Sequence, residues 1–209
     1  IYRLNGYSAE RVSTHSIERL VAGSERTTLE AGVYMLAGHA CWVLSSSEWT
    51  LVYDITTGGW HERQSDGGRW RASGLVRAWN SWVTGDYTTG KLYHVSEDYH
   101  RDSSSEISAM IQTGPIKEFP ARFRVNRVEV DVTTAIGQAA GENPIQTDPQ
   151  MWVSWSLDGG YSWGSPIYRA FGAQGEASAR IVLHGLGIAQ PSGLVLRLGW
   201  ATPSHVAVH

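Results

Sequence analysis

Leu51-Val-Tyr-Asp-Ile-Thr-Thr-Gly-Gly-Trp60 reads as a strand, a tight turn and the start of a returning strand. Leu51, Val52 and Tyr53 suit a pleated surface, Asp54 can bond its own turn, and glycine supplies the positive φ such turns need. The pattern recurs. Gly85-Asp-Tyr-Thr-Thr-Gly-Lys-Leu-Tyr93 again sets an Asp and an aromatic residue ahead of Thr-Thr-Gly, and again returns as a strand. Around the first copy lie two more strand-like runs, Gly32 to Leu36 and His39 to Leu44, with Ser45 to Ser47 marking a turn. Around the second lie Trp70 to Trp79 and Asn80 to Thr84, entered through an Asp66-Gly-Gly68 turn. Short antiparallel strands repeating at this spacing are the pattern of propeller blades. Two blade-like units are too few to close a ring, which needs at least ~4. The spacing therefore predicts a partial propeller-like region over residues 1–102.

One helix is expected ahead of it. Ser13 or Thr14 can cap it, Ile17, Leu20 and Val21 share a face, and Gly23 can stop it. Beyond the polar stretch Ser96 to Ser105 the grammar changes, and residues 103–209 read as a separate antiparallel region. Phe123 to Val132 alternates cleanly except at Asn126-Arg127, where a bulge reconciles the phase. Met151 to Ser156, Ile181 to Leu183 and Leu194 to Leu198 supply further strands, suited to a sandwich or to more blades. The expected fold class is all-β throughout.

Composition agrees and narrows the function classes. The 209 residues include 23 Gly and 10 Trp but only 18% charged residues, a turn-rich, aromatic-packed balance. With 17 Lys and Arg against 20 Asp and Glu the net charge is −3, which argues against a protein built to grip phosphates. No run of 18 apolar residues is present to cross a bilayer as a helix, so no membrane partner is expected. The single cysteine, Cys41, excludes an internal disulfide and a thiolate metal cage, and reads as a small buried hydrophobe. The chain opens at Ile1 without Met, which reads as a processed or excised piece of a longer protein.

Chemistry-bearing constellations are sparse. Ser156-Leu-Asp-Gly-Gly-Tyr-Ser-Trp163 resembles the Asp box, Ser-x-Asp-x-Gly-x-Thr-Trp, with Ser162 in place of Thr. Its physics is that of a hairpin lock. Asp158 accepts from turn amides, Gly160 takes a positive φ and Trp163 packs under the turn, so Ser156, Asp158, Gly160 and Trp163 form the expected structural site. Asp boxes occur in sialidases away from the catalytic centre, so a glycan-binding or sialidase-like β-propeller protein is the alternative reading. A catalytic version would need an arginine cluster, for which Arg63, Arg69, Arg71 and Arg77 are the candidates. Arginines beside glycine and tryptophan more often stack or meet carboxylates. Glu97, Asp98 and Asp102 share one polar loop, and the eight histidines lack metal-ligand spacing. The expectation is no catalytic residue, no cofactor and no metal. Tryptophans can stack on sugars, but ten spread through strands more often fill gaps between sheets.

Taken in order, Tyr2 to Gly6, Ser13 to Glu18, Val52 to Arg63, Gly85 to Tyr93, Asp148-Pro149, Ser156 to Trp163 and Gly172 to Glu176 resemble the packaged-DNA stabilisation proteins of short-tailed bacteriophages. These are tail accessory factors that form the tail hub, and the resemblance is to their C-terminal part. It implies a structural virion protein, not an enzyme, made in the host bacterial cytoplasm and resident in the phage tail. It further implies self-association into a ring, expected to be a hexamer, which continues the portal channel and holds the packaged DNA. The implied partners are the portal adaptor ring, the tail needle and tail fibres or spikes. DNA would pass through without sequence-specific binding, which suits a slightly acidic chain. The loops Asp66 to Arg71, Glu97 to Ser105 and Gly137 to Pro149 are the expected contact segments.

Overall fold

A computed structural model describes residues 1–97, 99–133, 148–170, 172, 178–201 and 207–208. The chain divides into two compact units, Ile1–Tyr99 and His100–His209.

In the first unit, β1 (Tyr2–Asn5) and β2 (Ser8–Arg11) form a small hairpin ahead of α1 (His15–Ala22). Thr14 caps the helix by accepting from the Ile17 amide, and at the other end the Gly23 amide donates to the Arg19 carbonyl and the Ser24 amide to that of Val21. The cap and stop read from the sequence are thus the ones used. A four-stranded antiparallel meander follows, made of β3 (Glu30–Leu36), β4 (His39–Ser45), β5 (Thr50–Asp54) and β6 (Gly59–Glu62). After the short hairpin β7 (Gln64–Ser65) and β8 (Gly68–Arg69) comes a three-stranded meander of β9 (Ala72–Ala78), β10 (Ser81–Asp86) and β11 (Leu92–Val95).

Alternation along β4 and β5 explains how the first meander is buried on both faces. Cys41, Val43 and Val52 point with Tyr34 toward Leu75, Trp82 and Val95 of the second meander. Leu44 and Leu51 point the other way, against Ile17 of α1 and Trp49. Cys41 is a free, buried thiol, as its apolar neighbours predicted. One boundary differs from expectation. The strand read as running to Trp79 stops at Ala78, because Trp79 and Asn80 take φ of 48° and 63° and form the two-residue turn into β10.

The second unit carries the short hairpin β12 (Arg101–Asp102) and β13 (Ser105–Glu106), then β14 (Ala109–Gln112) and the long β15 (Phe123–Thr133). The remaining strands are β16 (Gln150–Ser156), β17 (Ile167–Ala170), β18 (Ser178–Ala189), β19 (Val195–Trp200) and β20 (Ala207–Val208). They make two sheets, ordered β14-β19-β16-β17 and β18-β15-β20. The pairing of β15 with β18 shifts register between Val125 and Arg127, the bulge that the sequence phase required. One core joins the two sheets: Val125, Val130, Val132, Ile181 and Leu183 from one, Met151, Val153, Leu196, Leu198 and Trp200 from the other. The second unit is a sandwich, and of the two readings left open for it, the sandwich is the one the core supports. The described chain is mostly β, in small antiparallel sheets with no closed barrel among the described residues.

Candidate functional site

Three aspartates sit at the heart of three turns, and their local sequences dictate the same geometry. Asp54 Oδ1 accepts from the amides of Thr56 and Thr57 at 2.9 and 3.4 Å, and its Oδ2 accepts from Thr57 Oγ1 and lies 2.7 Å from His39 Nδ1. Asp86 Oδ1 accepts from the amides of Thr88 and Thr89 at 2.8 and 3.1 Å. Glycine follows in each, with φ of 75° at Gly58 and 68° at Gly90. The repeated Asp, Thr-Thr, Gly stretches are therefore the same turn built twice.

The third is the Asp-box stretch, which joins β16 to β17. Asp158 Oδ1 accepts from the amides of Tyr161 and Ser162 at 3.0 and 2.9 Å and from Ser156 Oγ at 2.7 Å. Ser162 Oγ donates to Asp158 Oδ2, supplying the bond that Thr gives elsewhere. The Gly160 amide donates to Ser156 Oγ, and Trp163 Nε1 donates to the Gly160 carbonyl at 3.0 Å. The structure thus brings Ser156, Asp158, Gly160 and Trp163 into one hydrogen-bonded turn.

Electrostatics follow from these bonds. Donation from Ser162 and Ser156 holds the Asp158 carboxyl well below the usual carboxylate range. The Thr88 amide and hydroxyl do the same for Asp86. At Asp54 burial works upward, but donation from Thr57, His39 and the turn amides outweighs it and the carboxyl ends low. A carboxyl held low stays ionised and is a poor general acid near neutral pH, whereas glycoside hydrolysis needs one member of its acid pair raised.

The four arginines considered as a cluster are dispersed among rings and carboxylates. Arg63 lies over both Tyr34 and Trp70, 5.3 and 5.0 Å from their centroids, and Arg77 bonds Asn80. Arg69 is 6% exposed, bonds Glu30 at 3.1 Å and stacks on Tyr87 at 4.4 Å. Arg71 meets Asp66 at 3.0 Å and Asp86 at 3.6 Å. Of the expected contact loop Asp66 to Arg71, the turn Asp66-Gly67-Gly68 is exposed, whereas Arg69 is buried and Trp70 and Arg71 are half-buried, because guanidinium planes pack on aromatic rings while keeping their bonds. Of the other two expected contact loops, Glu97 to Ser105 carries the small β12–β13 hairpin, with Asp98 outside the described residues. Gly137 to Pro149 lies outside them except for Asp148 and Pro149.

A feature the sequence did not single out lies on the outer face of the sheet β14-β19-β16-β17. The register places Trp152 between Gly199 and Tyr168, and Ser154 beside Arg197. A Cβ built on Gly199 would lie 2.2 Å from the Trp152 ring, so the indole lies flat across the glycine. Arg197 donates through Nε and Nη2 to Gln112 Oε1 at 3.2 and 2.9 Å, and its guanidinium sits 3.8 Å from the Trp163 ring centroid. Trp152, Ser154, Trp163, Pro166, Tyr168 and Arg197 line a shallow groove of about 330 Å³. The signal was present in Met151-Trp-Val-Ser-Trp155, but two tryptophans three residues apart lie on opposite faces of a strand, and the run does not say which one faces out. Among the described residues no group of three or more His, Cys, Asp or Glu is placed to hold a metal ion.

No curated protein matches the chain. Residues 109–209, just under half of it, match the family model described as Bacteriophage P22 Gp10, beta-sandwich, so the sandwich unit is similar to that of a phage tail structural protein.

Proposed function

We propose that the protein is a structural component of a bacteriophage tail and works by assembling with other virion proteins. The observation that carries this reading is the family match over residues 109–209, which falls wholly within the sandwich unit. The chemistry of the turns agrees with it: Asp54, Asp86 and Asp158 are engaged as hydrogen-bond acceptors within their own turns.

At finer grain, we propose a hub role of the packaged-DNA stabilisation type. Copies would form a ring, hexameric on this reading, beneath the portal adaptor, continue the channel and present surfaces to fibres or spikes and the needle. Head-to-tail contacts that close on themselves make such a ring. The two meanders of the first unit would be blades of a propeller, and the Asp-box residues Ser156, Asp158, Gly160 and Trp163 would act as a hairpin lock with no part in catalysis. The Glu97 to Ser105 segment remains a proposed contact loop, because loops held out by rigid sheets are where partners meet.

An epitope tag tests the coarse claim. With the tag on the chain, purified virions should carry it, and labelled antibody should decorate the tail end only. Virions lacking the tag would refute the reading.

A further inference from the structure

The groove on the outer sheet face is built from residues that a purely structural surface does not need. Strand positions facing solvent usually carry polar side chains, whereas here Trp152 and Tyr168 stand side by side, with Tyr168 61% exposed. The indole lies flat over Gly199, so it offers a ring face to solvent and not an edge. Beside this apolar step lie the buried Ser154 and then Arg197, with Gln112 beyond. Gln112 on one side and the Trp163 ring on the other hold the guanidinium in place before any ligand arrives. Arginine has five N–H donors and Gln112 takes two, so donors remain for an acceptor in the groove. Among the described residues no carboxylate lines the groove, and Arg197 is its charged side chain.

We propose that this groove is a saccharide-binding site with a preference for acidic sugars. The flat apolar face of a pyranose ring would rest on Trp152 and Tyr168, and a sugar carboxylate or hydroxyl would accept from Arg197. A flat ring favours this ligand over a proline-rich peptide, which docks in aromatic-lined grooves between rings. The groove shares Trp163 with the Asp-box turn, which sets that ring against Arg197. The proposal adds a binding capacity to the tail role and stands or falls apart from it.

The test titrates the full chain with a hyaluronan tetrasaccharide, with neutral maltotetraose and with a proline-rich decapeptide, following tryptophan fluorescence and heat. The acidic sugar should bind saturably at millimolar or lower concentration, and more tightly than the neutral one. Tyr168→Ala, at an exposed position that tolerates truncation, should weaken binding about tenfold, as should Trp152→Ala. Arg197→Gln should erase the difference between the two sugars while leaving neutral binding in place. Absence of saturation by both sugars would overturn the proposal. So would binding that Tyr168→Ala leaves unchanged, an acid preference that survives Arg197→Gln, or saturable binding by the peptide alone.

Discussion

Trp152 and Gly199 show how one pair of residues sets a surface. The indole occupies the space where any larger residue at 199 would put its Cβ. Gly199→Ala should therefore force the ring off its position and cost about 1–3 kcal/mol, as overpacking does, read from denaturant midpoints. A cost near zero would mean that the ring is not fixed by the glycine. The acidic turns give a second prediction. Asp54, Asp86 and Asp158 have carboxyls held below their ordinary range, and Glu18, bonded by Arg11 and Ser13, is held at about 2. A depressed folded-state value means that the unfolded chain binds protons first. Stability from these groups is present above the unfolded value of about 4 and is lost as pH falls below it. Urea midpoints should hold between neutral and mildly acid pH and then drop steeply, and Asp158→Asn should flatten that drop. An acid profile unchanged in this variant would remove Asp158 from the account.

Elements show which parts of the fold were legible in advance. The helix was readable because capping is local: Thr14 and Gly23 act on residues within one turn. The bulge at Asn126-Arg127 was readable because a strand with one buried face tolerates no break in its period. The twin Asp turns were readable from their repeated residues. What the sequence hid was every feature set by distant partners. Arg69 looked like loop polarity, but Glu30 and Tyr87, far along the chain, draw it into the unit. Trp79, 85% exposed at a hairpin tip, looked like strand, since no propensity marks tryptophan for a left-handed turn. The groove was hidden for the same reason, because Gly199 and Arg197 become its neighbours only through pairing. Arg69→Ala should destabilise the first unit by about 1–3 kcal/mol, a range that allows for the half-exposed Glu30, and thermal unfolding of that unit should show it. In the sandwich, Met151→Ala should cost about 2–5 kcal/mol, because the side chain is fully buried between the sheets.

At the scale of the molecule, the sandwich core draws, among the described residues, on Phe123 to Trp200, all of them in the second unit. Residues 100–209 expressed alone should therefore unfold cooperatively by calorimetry; a broad, featureless melt would mean that the sandwich needs the first unit. Family likeness reaches only the sandwich, so the propeller-like reading of residues 1–102 rests on two meanders and a repeated turn. On the proposed function, the protein acts by taking its place in a tail. The most direct measurement is to deplete it from the phage that encodes it and count, by electron microscopy and DNA content, how many particles keep their genome and complete their tails. Depleted particles should lack finished tails and lose DNA, and the intact gene supplied in trans should restore both. Particles with full genomes, finished tails and normal infectivity in its absence would contradict this role.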